Sequence, residues 1–346
     1  MRIILPLSLA VLLLVLLLPL FLVSSPEAAV PVSAEQGDPN PAPTPYSPES
    51  ENQEVLLDEH LILRVLLGEE VHEMTMAEFL EGVVAAEMPA RFHQEALRAQ
   101  AVAARTYTLH RMLVAPTPRH PEAYVCGSYA CCKAFHSPER LRERWGDSFE
   151  YYRARIVDSV RATDGMILLY DERPILAAFH AASYGFTETS GAIWGSVPYL
   201  QSVRSFESEA DVPRFYETVT MSFAEFRDIA QQGLPGTVLD ENHVPYWITD
   251  LRHTESGRVE SLAIGGVRVT GPEFRRLFGL RSTAVQFSFG PEELSITTGG
   301  HGHGVGMSQF GANTMANLGL DYGAILDWYY TGVTMGRMDS LFGYHL

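Results

Sequence analysis

The sequence predicts an α+β fold, as a single large domain or as two lobes around a substrate cleft, preceded by a transmembrane helix and a disordered stalk. Three observations carry that expectation. An almost unbroken apolar run, Ile3 to Val23, opens the chain, with Arg2 as the only charge before it. About thirty proline-rich residues follow. The rest mixes strand-like and helix-like periodicities without βαβ regularity, which is the α+β pattern. The boundaries read as 1–24 for the anchor, 25–54 for the linker and 55–346 for the folded part.

The apolar run is the roughly 20 residues that cross a bilayer as a helix. Glu27, Glu35 and Asp38 lie on its far flank, and no Lys or Arg follows before Arg64. That asymmetry leaves the N-terminus in the cytoplasm and the rest outside. The expected localisation is therefore single-pass in the cell membrane with an extracytoplasmic domain. A cleaved signal peptide is the alternative, but its apolar region is normally shorter and no small-x-small site follows. The linker holds Pro26, Pro31, Pro39, Pro41, Pro43, Pro45 and Pro48. It cannot bury enough apolar surface to offset its ordering entropy and should be an extended stalk.

In the folded part, Leu61 to Leu67 reads as a strand, with a hairpin partner at Val71 to Met74. Thr75-Met76-Ala77-Glu78 matches a capping box, so a helix should follow with Phe79, Leu80, Val83 and Val84 inward. Pro89 stops it, which puts Glu87 in its last turn. Gln94 to Leu113 reads as a second helix, with Leu97, Ala101, Ala104 and Thr108 on one face and Gln100, Ala104 and Tyr107 on the next. Ile167 to Tyr170 and Ile175 to Phe179 read as two strands joined at Asp171-Glu172-Arg173. Helices are expected near Phe223 to Gln232, from Thr270 to Phe278, and from Ser308. Phe206 to Asp240 is otherwise mostly polar.

The formal charge of −17 argues against nucleic-acid backbones and anionic lipid surfaces, which repel such a chain. Within the folded part, Glu87 is the first candidate for chemistry. A general acid must carry a proton near neutral pH. Burial and the negative end of a helix both favour a protonated carboxyl, and Ala85, Ala86 and Met88 surround Glu87. Arg105 sits among alanines, where an arginine usually holds a carboxylate, on a ligand or as a structural ion pair. His180 and Ser183 fall where a strand opens into a loop; a hydrolase dyad at that spacing is a weak inference. The string His301 to Gln309 alternates glycines that let a backbone lie close to a ligand, and a substrate-lining loop is favoured there over a metal site at His301 and His303. His120, Cys126 and Cys132 lie six residues apart, with Cys131 and His136 beside them. Thiolates and imidazoles at that density suit a structural zinc; unliganded buried thiols are the alternative.

Taken together, several strings resemble the stage II sporulation protein D family of lytic transglycosylases, which shares a domain with an amidase enhancer. They are Glu87-Met88-Pro89, Glu95 through Tyr107, Phe179-His180 through Thr187, Trp194, Pro198-Tyr199-Leu200, and His303-Gly304-Val305-Gly306-Met307-Ser308-Gln309-Phe310-Gly311-Ala312. They run through most of the chain beyond the stalk in the family's order. The resemblance implies that Glu87 is catalytic and that the enzyme cleaves peptidoglycan glycan strands to 1,6-anhydro-muramic ends during engulfment in sporulation. No cofactor is required for that chemistry. The implied partners are a cell-wall amidase and a membrane protein of the engulfment machinery. The expected substrate contacts are Arg105, Gln100, His180, Ser183, Tyr199, His303 and Gln309, and the expected metal ligands His120, Cys126, Cys131 and Cys132. Gln201 stands where the family commonly has lysine, Tyr184 where it often has glycine, and Cys131-Cys132-Lys133 where it often has His-Cys-Gln. A non-catalytic glycan-binding module that activates an amidase is the competing expectation. A zinc hydrolase built on His120 and the cysteines is disfavoured, because a closed ligand set leaves no open position.

Overall fold

A computed structural model describes residues 57–341. The expected anchor and stalk lie outside the described residues, among which no helix is long and apolar enough to cross a membrane.

The described chain opens with a short helix α1 (Leu57–His60) and a hairpin of β1 (Ile62–Leu67) and β2 (Glu70–Thr75). Thr75 then caps α2 (Met76–Glu87). Its hydroxyl accepts the Glu78 N–H at 3.1 Å while the Glu78 carboxylate accepts the Thr75 N–H at 2.8 Å, so both halves of the predicted capping box form. Phe79, Leu80, Val83 and Val84 are buried as expected. Met88 is extended because a residue before proline avoids the helical region, and Glu87 is thereby the last helical residue. The next helix, α3 (Gln94–Leu113), departs from the two-faced reading: from Ala96 to His110 only Arg98 is not buried. It packs on α2 and on six later elements, and its many alanines let them approach from every side.

The chain continues through β3 (Val125–Cys126), which pairs with β1, then α4 (Pro138–Trp145) and α5 (Phe149–Arg161). The predicted hairpin forms as β4 (Met166–Tyr170) and β5 (Arg173–Pro174). Asp171 and Glu172 both take positive φ, 48° and 59°, the conformation that a two-residue hairpin turn demands. The second strand is displaced from the expected Ile175 to Phe179: Arg173–Pro174, expected at the turn, pairs with β4, and Ile175 to Ala178 lie outside any strand. Ala177 and Ala178 bond back two residues, to Ile175 and Leu176, and this kink frees β6 (Phe179–His180) to pair elsewhere.

A second lobe follows: β7 (Tyr216–Ser222), α6 (Phe223–Gly233), β8 (Ile248–His253), β9 (Val259–Ile264), β10 (Val267–Thr270), α7 (Gly271–Leu277), β11 (Val285–Phe289) and β12 (Glu293–Gly299). Its strands form two antiparallel sheets, β10-β9-β8 and β11-β12-β7. The two helices match the sequence reading; the sheets were not foreseen. The chain then re-enters the first lobe as β13 (Met307–Ser308), α8 (Gln309–Asn317), α9 (Tyr322–Tyr329) and β14 (Thr334–Arg337). β13 pairs in parallel with β6, and β14 antiparallel with β4.

The two lobes have separate hydrophobic cores. One runs from Leu63 to Leu200 and resumes from Val305 to Met338; the other lies wholly between Met221 and Ile296. The return segment, residues 299–306, is the glycine string. Its glycines serve the protein's own packing: a Cβ at Gly306 would lie 2.0 Å from the Ala178 carbonyl oxygen, and one at Gly304 2.8 Å from Arg258 Nε. The expectation that they admit a ligand is corrected to close approach of the chain to itself.

Candidate functional site

Glu87 projects from the end of α2 into a half-buried position. Its Oε1 accepts the Ala134 N–H at 2.9 Å. Its Oε2 has a longer contact, 3.4 Å, from Gln309 Nε2. Gln309 is the first residue of α8, and its amide also donates to Gln100 Oε1 at 3.3 Å. Gln100 is fully buried, and its own Nε2 has no partner among the described residues. A line of three side chains, Gln100, Gln309 and Glu87, thus joins α3, α8 and α2.

The position of Gln309 is fixed from behind. Ser308 caps α8 by accepting the Gly311 N–H at 3.3 Å and donates to the carboxylate of Glu207. Glu207, 6% exposed, also accepts the Ser183 N–H at 2.6 Å and the Ser205 hydroxyl at 2.5 Å. Gly311 leaves the room for this: a Cβ there would meet the Tyr329 hydroxyl and Glu207 Oε2 at 2.1 and 2.6 Å. Glu207 escaped the sequence reading because it lies in an irregular polar stretch with no periodicity to single it out.

Lys133 was also missed. It is 8% exposed, and its Nζ lies 3.4 Å from the Phe179 ring centroid and 4.3 Å from that of Tyr107. Burial pulls its ammonium down to about 8, against the nearby charge of Glu87. On the far side, His303 is held neutral: burial, with Lys133 nearby, pushes it down to about 3. Its Nδ1 accepts the Val305 N–H at 3.0 Å, and its ring meets the indole of Trp194 edge to face at 5.0 Å. Trp194 is 46% exposed and offers the remainder of its ring to solvent. The only sequence signal for Lys133 was its departure from the family's glutamine.

Five expected substrate contacts lie elsewhere. Arg105 has no exposed surface; it grips Asp58 through Nε at 2.8 Å and Nη2 at 2.5 Å and donates to the Met166 and Val160 carbonyls. It is the structural ion pair of the two readings. The His180–Ser183 pair does form, at 2.7 Å, but both residues are buried and the other His180 nitrogen is bonded to the Val305 carbonyl at 3.2 Å. The pair therefore supports the His303 loop from beneath and offers no nucleophile to a polymer. Tyr199 is buried, and its hydroxyl accepts the Leu176 N–H at 3.0 Å. Gln100 reaches the site only through Gln309. Gln201 turns its amide onto the Pro198 carbonyl at 2.9 Å. Of the expected contacts, Gln309 touches Glu87, and His303 lies near Lys133, which in turn feels the Glu87 charge.

The expected metal ligands do converge. One donor atom each from His120, Cys126, Cys131 and Cys132 falls within 4.8 Å of the others, with Cys132 Sγ 3.4 Å from His120 Nε2. His120 Nδ1 is bonded to the Ala123 carbonyl at 3.1 Å, the arrangement that orients a metal-bound histidine. Without a cation, burial drives the Cys132 thiol up to about 12, whereas at Cys131 burial is outweighed by hydrogen bonds from Cys126 and His120 that pull its thiol below the usual value, so a metal is needed chiefly to hold Cys132 as a thiolate. The set fits a closed tetrahedral zinc site. His136 is not part of it; its Nδ1 faces Arg144 at 3.4 Å.

A family model described as "Stage II sporulation protein" matches residues 68–170, the span that holds Glu87, Gln100 and the cysteine cluster. The chain is 36% identical over 274 residues to stage II sporulation protein D of Bacillus subtilis (strain 168), covering 79% of this chain and 78% of that one. Against the protein of the same name from Bacillus amyloliquefaciens the identity is 36% over 271 residues, 78% and 76% of the two chains. A Bacillus subtilis protein named amidase enhancer is 26% identical over 315 residues; these are 74% of this chain but 40% of that protein.

Proposed function

The chain belongs to the stage II sporulation protein D family, and from that premise we propose that it is a lytic transglycosylase, a carbon–oxygen lyase acting on peptidoglycan glycan strands. The observation that carries the proposal is the unequal treatment of the two Glu87 oxygens. Oε1 is fixed by a backbone N–H, while Oε2 has only a long contact and is the oxygen that exchanges the proton.

One carboxyl group does both proton transfers, unlike the paired carboxylates of ordinary glycosidases. Glu87 protonates the oxygen between C1 of N-acetylmuramic acid and the following N-acetylglucosamine. The C1–O bond breaks through an oxocarbenium-like state. Glu87, now a carboxylate stabilised by the Ala134 and Gln309 donors, takes the proton of the C6 hydroxyl of the same muramic acid. That oxygen closes on C1, and a 1,6-anhydro end forms without consuming water. Trp194, packed at a steep angle on His303 and half-exposed, would stack on a sugar ring. The chemistry asks for no cofactor. A zinc held by His120, Cys126, Cys131 and Cys132 would anchor the segment that supplies the Ala134 N–H.

The reading extends to a membrane-anchored protein whose domain faces away from the cytoplasm and acts in engulfment beside a cell-wall amidase. The similarity to an amidase enhancer favours a second reading, a glycan-binding module that activates such an amidase without cutting. Mass analysis of products from purified glycan decides between them. Ends lighter by one water than hydrolysis products support the lyase. Ordinary reducing ends mean a hydrolase, and glycan bound but uncut means the binding module.

A further inference from the structure

Gln100 carries an unexplained donor. It is fully buried in α3, and its Nε2 has no partner among the described residues. Its Oε1 accepts from Gln309 Nε2 at 3.3 Å, and that same Nε2 lies 3.4 Å from Glu87 Oε2. One terminal atom of Gln309 thus faces both neighbours. As a nitrogen it suits an ionised Glu87, which can only accept. It does not suit a protonated Glu87, whose hydroxyl needs an acceptor. The two ends of an amide are alike in size, and the last torsion of a glutamine is two-fold. Turning Gln309 over puts Oε1 in the same place, where it accepts from the protonated carboxyl. Turning Gln100 with it brings the unpartnered Nε2 onto Gln309 Oε1. The orphaned donor is then filled. What is left bare is a carbonyl oxygen, which buried sites tolerate better than an N–H. Both contacts exceed the roughly 2.9 Å of an ordinary N–H···O bond, so neither locks the Gln309 amide.

We infer that Gln100 and Gln309 are positioning residues that reverse their amides together as Glu87 gains and loses its proton. Gln309 touches the acid, and Gln100 acts through it. This rests on the reading of Glu87 as a group that gives up a proton and takes one back. No proton passes along the line; only the amides turn. With Glu87 protonated, Gln309 Oε1 holds the acidic hydrogen until a glycosidic oxygen takes its place. With Glu87 ionised, Gln309 Nε2 donates to the carboxylate until the C6 hydroxyl proton arrives. Two charges flank the line: Lys133, which feels Glu87, and Glu207, bound to Ser308 behind Gln309. A lysine or an arginine in place of Gln309 would serve the ionised state alone.

The test is nuclear magnetic resonance on the full chain with nitrogen-15 in its glutamine amides. Gln100→Met and Gln309→Met identify the two signals by their loss. Where Gln100→Met does not fold, Gln100→Glu, of the same size, removes the amide in its place. In the wild type both signals should shift together as the pH crosses the range where carboxyls titrate, roughly 3 to 7. Neither should do so in Glu87→Gln. Gln309→Met should abolish the response of Gln100. A Gln100 signal that ignores pH in the wild type overturns the inference. So does one that still follows Glu87 after Gln309→Met, because the charge then acts through space. On purified glycan, Gln100→Met should lower kcat about 10-fold, the worth of one buried hydrogen bond, with KM unchanged. An unchanged kcat would also overturn the inference. Coupled signals in a chain that never cuts glycan would sink the transglycosylase reading and leave this inference standing. Cutting to 1,6-anhydro ends with a silent Gln100 would do the reverse.

Discussion

The first lobe buries charge and the second buries rings. Around the first core lie Arg105 with Asp58, Lys133 between two aromatic faces, and Glu207 under three donors. The second core is built on stacked aromatics: Phe226 on Phe278 at 4.7 Å and on Trp247 at 5.9 Å, with Phe274 against Phe278 and Phe287. Its buried arginine, Arg258, sits where the lobes meet and donates to the Phe186 carbonyl at 2.7 Å. Buried polar groups are costly unless satisfied, but they hold reactive side chains in fixed positions. Under the proposed function the chemistry belongs to the lobe that carries most of this cost, while the other, Arg258 apart, is stabilised chiefly by apolar area.

The comparison breaks most readily at Glu87. Glu87→Gln should lower turnover on purified glycan by about 10,000-fold, the upper end for general acid–base work, and leave the thermal unfolding temperature unchanged. Full activity in this variant would remove the first lobe's claim to the chemistry.

Two stability changes sharpen the contrast. Arg105→Met leaves Asp58 buried without its partner and should cost about 3–5 kcal/mol in urea unfolding. Adding Asp58→Leu should recover much of that, since apolar replacement of a whole buried pair is often neutral. Phe226→Ala should cost a similar amount, about 3–5 kcal/mol, through lost burial and a cavity. No polar change elsewhere should rescue it, and the folded fraction should still cut glycan at the wild-type rate.

Metal removal comes next. Zinc analysis of purified protein should find one ion per chain. Stripping it should lower stability by about 2.7 kcal/mol, compared with protein at a free-metal concentration 100 times the dissociation constant. A metal-free protein of unchanged stability would discard the zinc site.

The smallest effect is on pH. Burial lowers His301 to about 4 and His303 to about 3, so the folded chain refuses protons that the unfolded chain takes up below about pH 6.5. Their contribution is complete above that pH and is lost as the pH falls toward about 4 for His301 and about 3 for His303. Unfolding midpoints at pH 7 and 5 should differ less in His303→Gln than in the wild type. An identical difference would remove His303 from the acid response.

Much of the first lobe was legible because its signals are local. The Thr75 capping box, Pro89 and the alanine-rich run fix α2 and α3 within a few residues, and with them Glu87. The convergence of His120 with the three cysteines followed from their density. The second lobe's sheets were illegible because their alternation is diluted by exposure: β8 is exposed at every position but its first. Arg105 misled because a buried arginine needs a carboxylate and the sequence does not say whose; Asp58, 47 residues away, carries no mark. Tyr199 was placed by resemblance, and His180 and Ser183 by a strand end that opens into a loop; their side chains turn to backbone or to each other. Lys133 and Glu207 depend on contacts between distant segments, which no spacing rule anticipates.

The Ala134 N–H that fixes Glu87 comes two residues after Cys132. Two residues of extended chain reach at most about 7 Å, so the cysteine cluster and the acid are tied by a leash with no slack. Heredity should treat the segment unevenly. Between Cys126 and Cys131 the chain passes through exposed Ser128, Tyr129 and Ala130, and lineages are free to lengthen or shorten it there. Between Cys132 and Ala134 a single inserted or deleted codon would shift one end of the leash out of place, and no neighbouring substitution restores the length.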